Sequence, residues 1–285
     1  MTGRTPTRSW ACSPLCGKMG RRSRAEGSAH PPMETAKSPA TSMRSLERAI
    51  DVLEVLDTSR HALRLSDIAR RADLPVATTQ RILNVLEARG RVERDATGYR
   101  PGLGLIFGAH AYLATSPLLA AARPVLQDLA AETGLTASLF KRIGWSRVVL
   151  ARVDGARPLR YELPIGERLP LHLGAGKALV AQMGPDELEQ FLAQLGDRTR
   201  ADGTTIEQDE FLNDLKQIRD CGYSHARNER EPGMASVAAP VAEPDGSATS
   251  AVQVAGTQDD IPEDRIPALG IEVQRAAYAI GRRAF

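Results

Sequence analysis

The sequence is poor in the residue types that would place it in several common protein classes. Its 285 positions contain only three cysteines and 4% aromatic residues. The odd cysteine count, with Cys12 and Cys16 in one short segment, argues against a disulfide framework and indicates a reducing compartment, so we expect a cytoplasmic protein. Because aromatic rings are scarce, the cores must consist mainly of Leu, Val, Ile and Ala.

Long apolar runs and a strong net charge are also lacking. No run approaches the roughly eighteen apolar residues of a transmembrane helix, and no apolar segment follows the first arginines as in a signal peptide, so we expect no membrane association. The chain is 42% hydrophobic and 25% charged, as in ordinary globular proteins. Its length exceeds what one core usually supports and therefore predicts two domains.

The small net charge of +2 conceals an uneven distribution along the chain. Residues 1–42 carry seven basic and two acidic side chains, and residues 111–285 carry nineteen basic and twenty-four acidic ones. The first segment is also rich in Ser, Thr, Pro and Gly without any apolar period, which predicts a disordered basic tail over 1–42. Positive charge near the N-terminus indicates a polyanionic partner.

Motifs for catalysis, metals and cofactors are incomplete. The Cys12–Cys16 pair has no second Cys or His pair nearby, and Cys221 and His225 are separated by a helix-ending Gly222. No nucleophile elbow and no paired histidine motif occurs. We therefore expect no catalytic residue, no metal and no cofactor, and we interpret the chain as a protein that is not an enzyme.

The glycine-rich segment Gly174–Lys177 resembles a phosphate-binding loop but lacks its key positions. Leu171 stands where the first glycine is needed, and Ala178 stands where a hydroxyl would bind magnesium. Gly102 and Gly104 likewise fail as a dinucleotide fingerprint, because the third glycine is displaced by one position. Two interpretations remain: a helix N-terminus whose N–H groups suit a carboxylate, or a turn packed tightly for steric reasons.

Three helices and a hairpin are predicted between residues 43 and 102. An apolar stripe predicts a helix over 44–58, Ser66 is a suitable N-cap for a second, and Pro75 is a suitable first residue for a third over 75–89. Two short strands follow, Val92–Arg94 and Tyr99–Arg100, with a turn between them. The short break between the second and third helices is typical of a winged helix-turn-helix, whose third helix can enter a major groove.

The rest of the chain is predicted to form a linker and an α+β domain. Residues 103–118 predict a linker helix, and its apolar stripe fits either core packing or a dimer contact. From residue 119 to 285, strands and helices alternate in groups, which favours helices packed on a sheet. The predicted strands are Ala137–Lys141, Arg147–Val153, Leu159–Leu163, Tyr223–Asn228, Val237–Glu243 and Ser247–Gly256. The predicted helices are Gly176–Met183, Pro185–Gln194, one capped by Thr205 with Gln208 and ending at Cys221, and one starting near Pro262.

Seven segments in this order resemble the IclR family of transcriptional regulators across residues 43–285. They are Ser45–Leu53, Leu65–Arg71, Leu74–Leu83, Gly166–His172, Gly174–Leu179, Gly222–Tyr223 and Ala238–Val241. The resemblance implies an N-terminal winged helix-turn-helix and a C-terminal GAF-like α/β effector-binding domain. It also implies a homodimer or homotetramer that binds a pseudo-palindromic site in double-stranded DNA.

The candidate DNA contacts lie on the third helix, at the start of the second, and on the wing. They are Ser66, Val76, Ala77, Thr78, Thr79, Gln80, Arg81, Asn84, Arg94 and Arg100. Gln can pair with adenine and Arg with guanine, whereas Thr suits a phosphate or a thymine methyl group. A merely solvated helix face is the alternative for the third helix, and ion pairing with Glu93 and Asp95 is the alternative for the wing arginines. Val76 stands where many family members carry Lys.

The resemblance places the effector near the Gly174–Ala175 turn, the Gly233–Val237 segment and the Ala251–Gly256 strand. Gly174 and Ala175 would contribute backbone N–H groups, and Ser236 and Gln253 would contribute side chains. Family members often carry an acidic residue where Ala226 stands and hydroxyls where Gln253 and Ala255 stand. We therefore expect a small organic acid, aromatic or catabolic in origin, rather than a very small oxoacid.

Three functions compete at this point. A ligand-responsive DNA-binding repressor or activator of a catabolic or metabolic operon fits the residues best. An enzyme that uses the back domain is the second possibility, and turnover of a bound molecule would reveal it. A DNA-binding structural or partner-docking protein without a ligand is the third, and a thermal-shift screen against small carboxylates would separate it from the first.

Overall fold

The computed structural model describes residues 40–156, 163–196 and 198–285. The predicted tail therefore lies outside the described residues except for its last three positions, and so does all of the predicted strand Leu159–Leu163 except its last residue. The N-terminal elements are α1 (Ala40–Asp57), α2 (Leu65–Arg71), α3 (Val76–Ala88), β1 (Val92–Arg94) and β2 (Tyr99–Pro101). Three helices and an antiparallel hairpin form the predicted winged helix-turn-helix.

A small apolar core holds the winged helix together. Its buried members are Val52, Leu56, Leu63, Ile68, Leu83, Val92 and Tyr99. Two details differ from the sequence-based prediction. Ser66 is the second residue of α2 rather than its N-cap, because the helix already begins at Leu65 and the cap residue is Arg64. Pro75 is the N-cap of α3 rather than its first residue, and its carbonyl accepts the first hydrogen bonds of the helix.

Only the C-terminal half of α1 packs on this core. Val52 and Leu56 are fully buried, one helical turn apart, whereas Leu46 and Ile50 are 60% and 47% exposed. The apolar stripe predicted for this helix therefore continues beyond the domain core. Its N-terminal part forms an exposed apolar surface.

The linker and the C-terminal domain follow in the order of the sequence. The elements are α4 (Leu105–Thr115), α5 (Pro117–Thr133), β3 (Thr136–Ile143), β4 (Ser146–Val153), β5 (Arg168–Pro170), α6 (Ala175–Val180), α7 (Pro185–Gln194), α8 (Gln208–Cys221), β6 (Ser224–Arg227), β7 (Met234–Val241), β8 (Ser250–Thr257) and α9 (Ile266–Ala284). Ser116 caps α5 by accepting a hydrogen bond from the Leu119 N–H. The break between α4 and α5 at Pro117 is thereby fixed.

The sheet of the C-terminal domain has six antiparallel strands in the order β5-β4-β3-β8-β7-β6. One face packs against α5 and α9 in a core rich in Leu, Val and Ala, and the other packs against α6, α7 and α8. Strand residues alternate between the two faces, so Val252 and Val254 belong to the first core and Ala251 to the second. The six-stranded sheet with helices on both faces forms the second domain, after the winged helix-turn-helix. The predicted two-domain α+β architecture is therefore confirmed.

One local prediction in this domain is wrong, and one strand is absent from the prediction. Thr205 and Gln208 form no capping box, because α8 begins at Gln208 and is preceded by Glu207 without a side-chain cap, while Thr205 bridges to Thr199. The short strand β5 was not predicted, and only three residues of it pair with β4. Gly222 ends α8 in the left-handed conformation, with φ of 81°, as its position predicts.

The described helices differ in length and in apolar character. No single helix among them has both the length and the apolar character needed to cross a membrane. Helices α4 and α5 reach that length and apolar character only when taken together, and they are bent by 70° relative to each other.

Candidate nucleic-acid interface and ligand cavity

Helix α3 presents one polar face away from the winged-helix core. Leu83 is fully buried, whereas Val76, Ala77, Arg81 and Asn84 are exposed. Thr78 and Gln80 are half-buried beside them. The exposed set contains the amide and guanidinium groups that read base edges in a major groove.

Thr79 is the one predicted contact on α3 that the structure removes from this face. Its side chain is fully buried, and its hydroxyl donates to the Pro75 carbonyl at 3.2 Å. The physical reason is helical spacing, since Thr79 lies one turn before the buried Leu83. Thr79 therefore supports the start of the helix and cannot contact DNA from this position.

A side-chain network joins α3 to the wing. The Gln80 amide donates to Oδ1 of Asn84 at 2.7 Å and to the Tyr99 hydroxyl at 3.1 Å. The guanidinium of Arg94 lies 5.3 Å from the centre of the same tyrosine ring. Tyr99 is itself 3% exposed, so a core residue orients one candidate contact on the helix and one on the wing.

The second wing arginine is already paired within the hairpin. Arg100 donates to Glu93 at 3.2 Å, and its guanidinium lies 3.5 Å from Asp95. Hydrogen bonds from Thr97, above all from its side chain, lower the pKa of Asp95. Arg100 is therefore held by local carboxylates, as in the ion-pairing alternative given for the wing arginines in the sequence analysis. The guanidinium of Arg94 instead lies on the ring of Tyr99.

A small cavity lies on the α6 side of the sheet. It has a volume of about 50 Å³. Its polar lining includes Arg147, Gly174, Glu229, Arg230, Glu231, Ser236 and Gln253, and its apolar lining includes Phe140, Leu163, Leu169 and Met234. Ser236 and Gln253 belong to the neighbouring strands β7 and β8, so the sheet brings these two predicted residues together.

Gly174 shapes this cavity by having no side chain. Its φ of 53° lies in the left-handed region that favours glycine. A methyl group added there would lie 3.6 Å from Nη2 of Arg147, 3.7 Å from Oε1 of Gln253 and 3.8 Å from Oγ of Ser236. The space that a methyl group would fill at Gly174 is therefore bordered by polar atoms of Arg147, Gln253 and Ser236.

The amide of Gly174 is not available in the way the sequence predicts. Its N–H donates to Oε2 of Glu229 at 2.7 Å, and Glu229 is 8% exposed. The other carboxylate oxygen accepts from Lys177, whose Nζ also lies 2.9 Å from Asp214. Burial alone would lower the pKa of Lys177, but Glu229 and Asp214 together raise it. The turn does hold a carboxylate, and that carboxylate belongs to the chain itself.

Ala175, whose backbone N–H is also predicted to bind the effector, lies next to this turn. It is fully buried in the second core of the domain and does not line the cavity as far as the described residues define it. The reason is that Ala175 is the first residue of α6 and packs beneath the turn. Of the predicted effector contacts, Gly174, Ser236 and Gln253 line the cavity.

Arg147 is the cavity residue that sequence reasoning missed. It belongs to β4, where a run of Val, Leu and Ala predicted only a core strand. It stands two positions before the buried Val149 and therefore shares its face of the sheet. The alternation of strand positions along β4 could have identified Arg147 as a cavity residue, because an arginine in register with buried positions must enter the interior.

The described residues form no cluster of metal ligands and contain one cysteine, Cys221. Among them, no group of three or more His, Cys, Asp or Glu side chains could hold a metal ion. Cys221 is exposed, and its thiol donates to the Tyr223 carbonyl at 3.1 Å.

Comparisons with known proteins agree with this architecture. Residues 45–96 match the family model described as the IclR helix-turn-helix domain, and residues 110–282 match the model described as the C-terminal part of the bacterial transcriptional regulator IclR. The transcriptional repressor AllR of Escherichia coli K12 is 32% identical over 240 residues, which cover 83% of this chain and 89% of AllR. The transcriptional regulator BhcR of Paracoccus denitrificans is 34% identical over 238 residues, covering 82% and 85% of the two chains.

Solved structures show the same fold. A putative IclR transcriptional regulator from Silicibacter superposes with a TM-score of 0.75 at 25% identity and covers 84% of this chain and 96% of its own. An IclR homologue from Microbacterium hydrocarbonoxydans, complexed with 4-hydroxybenzoate, has a TM-score of 0.66 at 22% identity and covers 84% and 98%. These relatives are regulators rather than enzymes, in agreement with the expectation from the sequence.

Proposed function

This chain belongs to the IclR family of bacterial transcriptional regulators, and from that premise we propose that it binds a pseudo-palindromic DNA site as a homodimer and responds to a small organic acid in the α6-side cavity. It is a DNA-binding transcriptional regulator with a separate ligand-binding domain. Because its target is chromosomal DNA, its place of action is the cytoplasm. The AllR relatives are repressors, which supports repression as its mode of action.

The DNA contacts in this proposal come from the exposed face of α3, the start of α2 and the wing. They are Ser66, Val76, Ala77, Thr78, Gln80, Arg81, Asn84, Arg94 and Arg100. Arg81 is the main candidate for a guanine, because it is exposed at mid-helix and can form two parallel hydrogen bonds to a base edge. Arg100 would have to exchange its pairing with Glu93 for a phosphate.

Exposed apolar side chains support assembly of two chains. Helix α4 has no buried residue among its eleven, and Ile106, Phe107 and Tyr112 are 59%, 71% and 48% exposed. Together with Leu46 and Ile50 of α1, they would leave an unusually apolar surface on a single chain. A twofold dimer would cover this surface and would duplicate α3, as a palindromic site requires.

The cavity carries the effector part of the proposal. It lies between the sheet and the turn at Gly174 that precedes α6, and it combines apolar walls with converging polar groups, as ligand sites do. Ser236 offers a hydroxyl and Gln253 offers both a donor and an acceptor. The same fold holds the organic acid 4-hydroxybenzoate in the Microbacterium homologue.

Ligand binding changes DNA affinity only if the ligand binds one conformation of the dimer more tightly than the other. The free energy by which the ligand shifts the equilibrium between the two conformations is then at most the difference between its two binding free energies. Calorimetric titration of the full chain with a library of small carboxylic acids tests the site. An acid that binds wild type and binds Ser236→Ala more weakly supports an effector site in the cavity. Equal binding of every acid to both proteins would show that the effector site lies elsewhere.

A further inference from the structure

An ion pair joins the winged helix to the C-terminal domain. Nη2 of Arg60, in the segment between α1 and α2, donates to Oε1 of Glu167 at 3.0 Å. Glu167 lies directly before β5, 107 positions further along the chain. The side chain of Arg60 is 83% exposed and that of Glu167 is 29% exposed. The pair is therefore a surface contact at the point where the two domains meet.

The residues beside this pair carry a second set of opposite charges. Asp57 is the last residue of α1, and Arg168 is the first residue of β5. Loss of solvation raises the pKa of Asp57, and the positive charge of Arg168 opposes that rise. Each domain thus presents one acidic and one basic side chain to the opposite charges of the other. This complementarity favours one relative orientation of the domains.

A weak polar contact can control the orientation of domains that share no apolar core. Exposed ion pairs add little to the stability of a fold, so this pair is not needed to hold either domain together. Among the described residues, the apolar core of the winged helix has no member in common with the two cores of the C-terminal domain. Domains connected in this way are expected to move relative to each other. A contact between them then decides between orientations of similar free energy.

The turn that carries Glu167 is continuous with the wall of the cavity. Leu163 and Leu169 flank this turn, are 6% and 7% exposed, and line the cavity. Two backbone hydrogen bonds tie the turn to β4. The Val149 N–H donates to the Glu167 carbonyl at 3.1 Å, and the Gly166 N–H donates to the Val149 carbonyl at 2.9 Å. A displacement of either leucine is therefore passed to Glu167.

On the DNA-binding side, the segment that carries Arg60 is tied to the wing and to α3. Leu63, at the end of this segment, exchanges two backbone hydrogen bonds with Tyr99, of 2.9 and 2.8 Å. The hydroxyl of Tyr99 accepts from Gln80 of α3 at 3.1 Å. A force on Arg60 therefore acts on the whole winged helix, including the face of α3 that is proposed to contact DNA.

We propose that Arg60 and Glu167 are positioning residues whose contact sets the angle between the winged helix and the C-terminal domain and couples the cavity wall to α3. This inference rests on the proposed function and adds the route by which an effector changes DNA binding. A fixed angle matters because a symmetric dimer must hold its two α3 helices at the spacing of the half-sites. Because the contact depends on opposite charges, it should survive when the two charges are exchanged.

The first test exchanges these charges in the full chain. The variants are Arg60→Glu, Glu167→Arg and the double variant Arg60→Glu/Glu167→Arg. Glu189→Arg, on the exposed side of α7, controls for the added positive charge. Fluorescence anisotropy measures affinity for a duplex selected by wild type, and thermal melting verifies that each variant folds. Each single reversal should bind about fivefold more weakly than wild type and control, and the double variant should return to within about twofold of wild type.

A direct contact of Arg60 with a DNA phosphate is the alternative explanation for a loss of affinity in Arg60→Glu. It predicts that the double variant stays as weak as Arg60→Glu. That result, or a Glu167→Arg variant that binds as tightly as Glu189→Arg, would overturn the proposal. If wild type selects no duplex, the proposed function fails and the coupling falls with it. If wild type selects a duplex and the double variant does not recover, only the coupling fails.

The second test changes the cavity wall without the need for a known effector. Leu169→Ala should lower DNA affinity about threefold or more in the wild-type background and should have no effect in Arg60→Gln/Glu167→Gln. Leu188→Ala truncates another leucine that packs on the same core but does not line the cavity, so it should leave the affinity unchanged in both backgrounds. Leu169→Val takes the place of Leu169→Ala if the alanine variant does not fold. An equal effect in both backgrounds, or none in wild type, would show that the wall is not coupled to α3 through this pair.

Discussion

Glu229 carries a buried negative charge between two donors, the Gly174 N–H and the ammonium group of Lys177. The pair fixes the turn that forms one wall of the cavity. Lys177 is 3% exposed, so its charge is compensated almost entirely by Glu229 and Asp214 rather than by water. The shape of the cavity therefore depends on an ion pair that does not have to contact the effector.

Replacement of Lys177 by methionine tests this ion pair. The substitution leaves Glu229 buried without its ionic partner, so we expect the free energy of unfolding to fall by about 3–5 kcal/mol. Chemical denaturation of the full chain measures the change, with Lys216→Met on the exposed side of α8 as the control. The double variant Lys177→Met/Glu229→Gln should recover part of the loss. A stability equal to that of the control would contradict the assigned role.

Tyr99→Phe tests the network between the recognition helix and the wing. The ring stays in the core, while the hydroxyl that accepts from Gln80 is removed. One hydrogen bond contributes about 0.5–1.5 kcal/mol to stability, so the free energy of unfolding should fall by about that amount. Because Gln80 is then less well oriented, affinity for a specific DNA site should also fall, by no more than about tenfold. Fluorescence anisotropy with labelled DNA measures this. Unchanged affinity would show that Gln80 needs no support from Tyr99.

At the scale of elements, the sequence predicts what local periodicity determines. Apolar spacing predicts α3, a turn between two short strands predicts the wing, and the predicted helix Pro185–Gln194 has the bounds that the structure gives to α7. Thr79 was misassigned although its position one turn before Leu83 already indicated burial. The role of Arg147 and the pairing of Glu229 could not be predicted in this way, because they depend on strands and turns brought together from distant parts of the chain.

At the scale of elements, the exposed apolar surface of helix α4 allows a test of the proposed dimer contact. Phe107 is 71% exposed, so a charge at this position should not disturb the fold of a single chain but should break an apolar dimer contact. We expect Phe107→Glu to shift the protein toward monomer in analytical ultracentrifugation and to weaken DNA binding. Ile143→Glu, at the 57% exposed end of β3, is the control. A Phe107→Glu dimer as stable as the control would place the interface elsewhere.

At the scale of the whole molecule, positive charge is concentrated toward the N-terminus, ahead of a net acidic C-terminal region. The composition of residues 1–39 offers little apolar surface to bury, so their removal should leave the melting temperature nearly unchanged. The cut precedes Ala40, where α1 begins. Differential scanning calorimetry of the shortened chain measures the effect, and a fall of several degrees would contradict the prediction. Weaker binding to unrelated DNA is the expected cost of losing these arginines.

Sequence-specific DNA binding by a symmetric dimer through α3 is the central function proposed for this protein. Selection from a random duplex library, followed by sequencing, tests this most directly with wild type, Arg81→Ala and the exposed control Arg282→Ala. Wild type and control should enrich an inverted repeat whose half-sites lie about one helical turn or a multiple of it apart. Arg81→Ala should lose about 1–3 kcal/mol of preference at one base pair in each half-site. Enrichment of no sequence by wild type, or the same base preferences with Arg81→Ala, would contradict the account.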